Sequence, residues 1–235
     1  AETASNQVPV VIGVTAPSLW QATQMARHAK ELGVDAVIAS PPYVEGPTGP
    51  ELRRYYHAIS ETAEMPVVVE HTWPGMSIAF VAGLIRDVTN ILYVKEETPQ
   101  EDERPTDHSL TNVLQAVGQG CLGVFGSDDG CFMIADMRRG VSGFILSAMC
   151  TEAYVAIWDS FQSGQEDRAR AVFADVHPLL TLLSDTGLRL CKEVLVERGV
   201  IRAATMRKPA APTLDDFYRH ELVRSLIKVK PYSTH

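Results

Sequence analysis

Short β-branched runs alternate with stretches of helical length along the first 150 residues, and this alternation constrains the fold more than any other feature. The intervening stretches are amphipathic, and the runs themselves have nearly continuous apolar character, which is typical of parallel strands covered on both faces. Repeated βα units of this kind predict an α/β fold with a parallel sheet. The predicted strands are Val8–Val14, Asp35–Ser40, Pro66–Glu70, Ile91–Lys95, Gly123–Gly126 and Gly143–Ser147.

Helical segments are predicted between the strands and over most of the chain after the last strand. Ser18 is placed to N-cap a helix over Leu19–Leu32 that Gly33 ends, and a second helix is predicted over Gly49–Ala63. After Thr151 we find no further strand pattern, so residues 1–163 are predicted to carry the βα units and residues 164–235 to form a C-terminal helical extension. The predicted helices of this last part are Glu152–Ser163, Glu166–Leu183, Gly187–Arg198 and Leu214–Leu226.

Charge and cysteine content exclude several classes of function. A formal net charge of −8 does not suit nucleic-acid binding, which requires clustered Lys and Arg. No apolar run approaches the roughly 20 residues of a bilayer span. The 4 cysteines lack CxxC spacing and the 7 histidines lack HxH or HExxH spacing, so neither disulfides nor a metal is expected. We therefore expect a cytoplasmic protein that acts on a small molecule without a cofactor.

Lys95 differs from the other lysines because it ends an apolar strand. With the two-residue period of a strand, Ile91, Tyr93 and Lys95 share one face, so the ammonium projects where strand ends meet. Two interpretations stay open from the residues alone. The side chain either reaches water over the rim or is a functional amine, since a buried charge is costly unless it is paired. The other lysines fall on helices, in a connector or in the C-terminal tail: Lys30, Lys192, Lys208, Lys228 and Lys230.

An ordered set of motifs resembles the dihydrodipicolinate synthase / N-acetylneuraminate lyase superfamily over essentially the whole chain. The motifs are Asp35–Tyr43 (DAVIASPPY), Pro66–Glu70 (PVVVE), Tyr93–Glu97 (YVKEE), Gly126–Asp129 (GSDD) and Gly143–Ile145 (GFI). Members of that superfamily are class I aldolases and dehydratases with a (β/α)8 TIM barrel and a C-terminal helical extension. The resemblance implies that Lys95 is the Schiff-base lysine.

The same resemblance suggests which other side chains bind the substrate. It places Tyr43 in the loop after the fourth barrel strand and Ile145 in the lining of the pyruvyl pocket. Glu97 and Ser127, within the matching motifs, are the other predicted substrate-binding residues.

Two departures from the superfamily pattern bear on the reaction. The proton-shuttling tyrosine of the synthases and lyases is replaced by Glu70, and the second tyrosine of the usual PYY-type segment is Val44. Glu70 can still act as a general acid or base, although a neutralised or solvated carboxylate is an equally open interpretation. His71 is the other candidate, but alternation directs it to the opposite face. The segment after Lys95, with Glu97, Thr98 and Pro99, resembles enzymes that act on 2-keto-3-deoxy sugar acids.

A lysine suits this chemistry because its amine condenses with a 2-oxo acid to form an iminium. Partial burial is expected to lower the pKa of Lys95 from its usual value, and nearby carboxylates such as Glu70 and Glu97 would oppose that shift. If both approach the lysine, the site needs further compensation or one protonated glutamate.

Members of the superfamily carry two more βα units before the segment equivalent to Val8–Val14. The six predicted strands would thus be strands 3 to 8 of the barrel. The chain would be a fragment of a longer enzyme, which is the preferred interpretation, or an open or partner-completed barrel. The preferred function is dehydration of a 2-keto-3-deoxy sugar acid. The alternatives are a pyruvate-releasing aldolase and an inactive barrel that binds a sugar acid or a partner. A homo-oligomer, tetramer or dimer, is expected from the resemblance.

Overall fold

Within the part of the chain that the structure describes, six strands form one parallel sheet in the order in which they occur along the sequence. The computed structural model describes residues 2–4, 7–43, 46–72, 76–97, 109–207 and 213–232. Sequential order with parallel pairing is the pattern that repeated βα units predict, so the α/β prediction is confirmed. The strands are β1 Val11–Gly13, β2 Ala36–Ala39, β3 Val67–Thr72, β4 Ile91–Glu97, β5 Gly123–Gly126 and β6 Gly143–Phe144.

The two central strands run farther than predicted. β3 continues to Thr72 and β4 to Glu97, and these two residues pair with each other. The prediction that Lys95 ends its strand was therefore wrong, because the lysine lies two residues inside β4. The apolar pattern failed here because three consecutive charged residues, Lys95–Glu97, end the apolar run although their pairing with β3 continues.

Helices follow the strands, and several begin at recognisable caps. The predicted cap of α1 is confirmed, since Ser18 Oγ accepts from Gln21 N at 3.2 Å, and Ser77 caps α3 by accepting from Phe80 N. The α-helices of the described residues are α1 Leu19–Glu31, α2 Gly49–Ala63, α3 Ile78–Asp87, α4 Ser109–Val117, α5 Met133–Arg139, α6 Thr151–Gln162, α7 Glu166–Thr186, α8 Leu188–Glu197 and α9 Asp216–Val229. Among the described residues, none of these helices combines the length and apolarity needed to cross a membrane.

The chain divides into two compact units. The first comprises residues 1–127 and 138–145 and contains all six strands, and the second comprises residues 128–137 and 146–235. The proposed division after residue 163 into a barrel portion and a helical extension stays a prediction. In the second unit, Arg198 donates to Met149 O and to Glu152 Oε1, both at 2.6 Å, which links α6 to the residue that follows α8.

The sheet has two unlike faces. On one face, here called the covered face, Val67, Val69 and Val94 are completely buried, and burial of each such side chain contributes about 1.5–3 kcal/mol. The other face, here called the open face, carries half-buried side chains such as Glu70 and Lys95. The covered face thus holds the core, and the open face carries polar side chains within reach of solvent.

Candidate functional site

A row of polar side chains crosses the open face because parallel strands pair residue by residue. Ala39, the last residue of β2, pairs with Val69, so the next residue, Ser40, lies level with Glu70. Glu70 in turn pairs with Lys95. We call Ser40, Glu70 and Lys95 the first row. Their side chains point to the same face at the same height, which brings an amine, a carboxylate and a hydroxyl together.

A second row lies two residues nearer the strand ends. Thr72 pairs with Glu97, and Ser127 and Ile145 each lie two residues beyond the positions of β5 and β6 that are level with the first row. Ser127 is buried, and Ile145 is half-buried, with its N–H donating to Gly126 O at 3.1 Å. The register therefore places three of the predicted substrate-binding residues beside the first row.

Lys95 lies between two carboxylates. Its Nζ donates to Glu70 Oε1 and to Glu97 Oε2, each at 2.5 Å. Only 12% of the Lys95 side chain is exposed, against 20% for Glu70 and 39% for Glu97. The amine is neither in bulk water nor closed off from solvent, as a nucleophile that must meet a small substrate requires.

Charge pairing dominates the protonation of this cluster. Burial favours the neutral amine of Lys95, but the hydrogen bonds that the ammonium donates to Glu70 and Glu97 outweigh it and raise the pKa of the lysine above its ordinary value. Burial likewise opposes ionisation of Glu70, yet hydrogen bonds from Lys95 and Ser40 hold the pKa of this carboxyl below its ordinary value. The expected lowering of the Lys95 pKa was therefore wrong for the resting site, because two carboxylates approach the same ammonium.

Ser40 and Thr15 were missed in the sequence analysis. Ser40 Oγ donates to Glu70 Oε2, and Ser40 N donates to Thr15 Oγ1 at 2.9 Å. Thr15 lies two residues after the end of β1. Ser40 lies within the Asp35–Tyr43 motif but received no role from it, and Thr15 lies outside every motif, so only the strand register across β1, β2 and β3 would have found them.

His71 lies on the covered face, as strand alternation predicts. Its side chain is 2% exposed, with Nδ1 at 2.5 Å from Glu96 Oε2 and Nε2 at 2.9 Å from Met76 O. Glu96 also accepts from Ser109 Oγ at 2.6 Å. His71 is thus engaged behind the sheet, on the face away from Lys95, which favours Glu70 as the acid or base.

Tyr43 follows β2 at the same edge of the sheet, and the residue is 73% exposed. Its role as a substrate contact stays a prediction. Val44, Thr98 and Pro99, which entered the comparison with the superfamily, lie outside the described residues. Within the described ranges, no group of three or more His, Cys, Asp or Glu side chains is arranged to hold a metal ion.

Comparison with known protein sequences identifies relatives over nearly the full chain. A model of the dihydrodipicolinate synthetase family matches residues 1–229. An L-2-keto-3-deoxyarabonate dehydratase of Azospirillum brasilense is 24% identical over 98% of this chain and 75% of its own length. A 4-hydroxy-tetrahydrodipicolinate synthase of Thermotoga petrophila is 26% identical over 97% of this chain and 77% of its own length.

Solved structures show the same fold. A 4-hydroxy-tetrahydrodipicolinate synthase of Methylacidiphilum fumariolicum SolV superposes with a TM-score of 0.83 at 20% identity, covering 99% of this chain and 76% of that one. A prophage protein of E. coli K12, solved in complex with pyruvate and assigned to the dihydrodipicolinic acid synthase family, gives a TM-score of 0.84 at 19% identity, covering 97% and 78%. At these identities the likeness concerns the fold.

Proposed function

Because the chain belongs to the dihydrodipicolinate synthetase family, whose members are aldolases and lyases, we propose that it forms a Schiff base between Lys95 and a 2-oxo acid and dehydrates a 2-keto-3-deoxy sugar acid. The observation that carries the proposal is the half-buried amine of Lys95 within 2.5 Å of the Glu70 carboxylate on the open face.

The first step requires a neutral amine, although the resting lysine is an ammonium. Lys95 can pass its proton along the 2.5 Å contact to Glu70, which leaves a neutral amine beside a neutral carboxylic acid. A substrate that expels water from the open face favours this neutral pair, because desolvation penalises both charged forms. After this transfer one of the two glutamates is protonated, so a neutral amine no longer lies between two negative charges.

The following steps use the same two side chains. The amine of Lys95 attacks C2 of the 2-oxo acid, and the C2 oxygen takes one proton from the attacking nitrogen and one from Glu70, so that it leaves as water and yields the iminium. Glu70, again a carboxylate, removes a proton from C3 to give the enamine. It then donates that proton to the C4 hydroxyl, which leaves as a second water. Hydrolysis of the conjugated iminium releases the product and restores the lysine.

Two observations support dehydration over the other reactions. Glu70 stands where the superfamily has a tyrosine, and a carboxylate close to Lys95 suits removal of a C3 proton. One relative, the Azospirillum brasilense protein, is an L-2-keto-3-deoxyarabonate dehydratase. Cleavage of the C3–C4 bond to release pyruvate is the second candidate, because it proceeds through the same iminium.

Borohydride trapping tests the Schiff base. The protein is incubated with pyruvate and sodium borohydride, and the adduct is located by peptide mass spectrometry. We expect one reduced pyruvyl group on Lys95, no adduct in Lys95→Arg, and an unchanged adduct in Lys30→Arg, which alters an exposed lysine of α1. Absence of an adduct from the unmodified chain would contradict the lyase proposal and favour a barrel that only binds a sugar acid or a partner.

Product analysis separates the two reactions. With a 2-keto-3-deoxy sugar acid, dehydration gives a product of the same carbon number that is one water lighter. An aldolase instead gives pyruvate and a free aldehyde, and their detection in stoichiometric amounts would exclude dehydration as the main reaction.

We also propose that the protein is a homo-oligomer, a tetramer or dimer, as the superfamily resemblance implies. A monomeric dihydrodipicolinate synthase variant with this fold is known, so the family does not impose one assembly. Sedimentation velocity is expected to show a species larger than the 25.8 kDa chain.

A further inference from the structure

We propose that Ser40 positions Glu70 for catalysis, by holding one carboxylate oxygen so that the other faces Lys95 and the substrate. This inference rests on the proposed function and adds to it a residue to which the motifs gave no role. Ser40 is a positioning residue, since it acts on the substrate through Glu70.

The strand register is the first support. Ser40, Glu70 and Lys95 occupy the same level of three adjacent strands and project to the same face. Glu70 has two oxygens, and each has a different partner: Oε1 accepts from Lys95 Nζ and Oε2 accepts from Ser40 Oγ. The carboxylate is thereby held between a hydroxyl on one side and an amine on the other.

The backbone around Ser40 is fixed on both sides. Its N–H donates to Thr15 Oγ1 at 2.9 Å, and the preceding carbonyl, Ala39 O, accepts from the Tyr56 hydroxyl at 3.2 Å. Tyr56 is completely buried on α2. Ser40 is thus fixed from the segment after β1 and from α2 at once, which limits the directions open to its hydroxyl, as a positioning residue requires.

The hydroxyl has a specific consequence for the lysine. Without it, the Glu70 carboxylate could turn both oxygens toward the ammonium, which already binds Glu97 on its other side. With Ser40 in place, one oxygen remains directed at Lys95 and stays available for proton transfer. Among the described residues, the charged and titratable groups that face Glu70 are Lys95 and Glu97 of β4 and Tyr56 of α2.

The test compares Ser40→Ala with Ser40→Thr, which keeps a hydroxyl and suits a strand end. The matched control is Ser60→Ala, because Ser60 is a buried serine of α2 whose hydroxyl donates to Thr89 O. Exchange of the pyruvate methyl protons in D2O, followed by NMR, reports removal of the C3 proton by Glu70. Borohydride trapping of the same samples reports the Schiff base separately.

We expect Ser40→Ala to slow the exchange by roughly tenfold or more, the effect of one hydrogen bond to a charged group. The acid limb of its pH profile should move to higher pH, because the carboxylate loses a donor that favours its ionised form. The pyruvate concentration for half-maximal exchange should change little. Ser40→Thr should retain the unmodified protein's rate and profile, and Ser60→Ala should keep both although it loses thermal stability.

Failure of this inference is distinguishable from failure of the proposed function. If the unmodified protein traps pyruvate and Ser40→Ala exchanges methyl protons at the same rate and with the same pH profile, the positioning role is wrong and the lyase stands. If the unmodified protein does not trap pyruvate, the lyase is wrong. The Glu70 carboxyl is then titrated by ¹³C NMR with Glu70→Gln for assignment, and an unchanged titration in Ser40→Ala would overturn the Ser40–Glu70 coupling as well.

Discussion

Lys95 illustrates how two opposing effects on one amine are weighed. Burial alone lowers a lysine pKa, but here Glu70 and Glu97 each contact the ammonium at 2.5 Å and raise it. Hydrogen bonds to charged groups contribute about 1.5–3 kcal/mol each, so two of them exceed a partial desolvation. At rest Lys95 is therefore protonated, and the proposed reaction transfers this proton to Glu70.

Removing one carboxylate should make Lys95 more reactive. In Glu97→Gln, the ammonium loses a charged partner, its pKa falls, and acetylation by acetic anhydride at neutral pH should rise roughly tenfold. Peptide mass spectrometry measures acetylation at each lysine against the exposed Lys228 as an internal reference.

The surface pair Lys30–Glu64 provides the control for this prediction. Its atoms are 2.6 Å apart, but the two side chains are 43% and 66% exposed, and exposed pairs are weak because solvent screens them. Glu64→Gln should leave Lys30 acetylation nearly unchanged. Equal effects in both variants would contradict the assigned role of burial at Lys95.

At the level of elements, β3 and β4 carry two polar pairs on opposite faces. Glu70 and Lys95 meet on the open face, while the next residues along each strand, His71 and Glu96, meet on the covered face. Met76 O can only accept a hydrogen bond, so Nε2 of His71 carries hydrogen. One further proton is shared between Nδ1 and the Glu96 carboxyl, and Ser109 Oγ ties this pair to the start of α4.

We predict that His71 and Glu96 stabilise the sheet as a coupled pair. Glu96→Leu leaves a buried imidazole without its carboxylate and should lower the free energy of unfolding by about 3–5 kcal/mol. The double variant His71→Leu/Glu96→Leu should lose clearly less than the sum of the two single variants. Urea unfolding of the four proteins measures this coupling, and additive losses would show that the two side chains act independently.

At the scale of the whole molecule, the site makes folding stability depend on pH. The folded-state pKa of Glu70 lies below its ordinary 4.5, so its stabilisation is fully present above about pH 4.5 and is lost as the pH falls through the folded value. The folded-state pKa of Lys95 lies above its ordinary 10.5, so its stabilisation is present below that value and is lost as the pH rises through the higher one.

Glu70→Gln should remove the acid branch of this dependence. The unmodified protein is expected to exceed the variant in free energy of unfolding near neutral pH, and the difference should shrink as the pH falls below 4.5. Urea unfolding at several pH values measures it. A difference that stays constant down to pH 3 would contradict the lowered pKa of Glu70.

Strand periodicity and the resemblance to the superfamily predicted much of the fold and several residues of the site. Strand periodicity placed the parallel strands and the face of Lys95, and it placed His71 away from it, because alternation is a local property of the backbone. Motifs pointed to Glu70, Glu97, Ser127 and Ile145. Neither the periodicity nor the motifs showed that β4 continues past Lys95. The end of a strand depends on its hydrogen bonds to the neighbouring strand, which composition does not reveal.

The sequence by itself determined which residues can alternate in and out of a sheet, and hence the βα architecture and the candidate lysine. Only the tertiary structure decided that Ser40, far from Lys95 in the chain, stands level with it, and that two carboxylates raise the lysine pKa. The physical reason is that hydrogen bonding and desolvation depend on distances between strands, which a local sequence pattern does not contain.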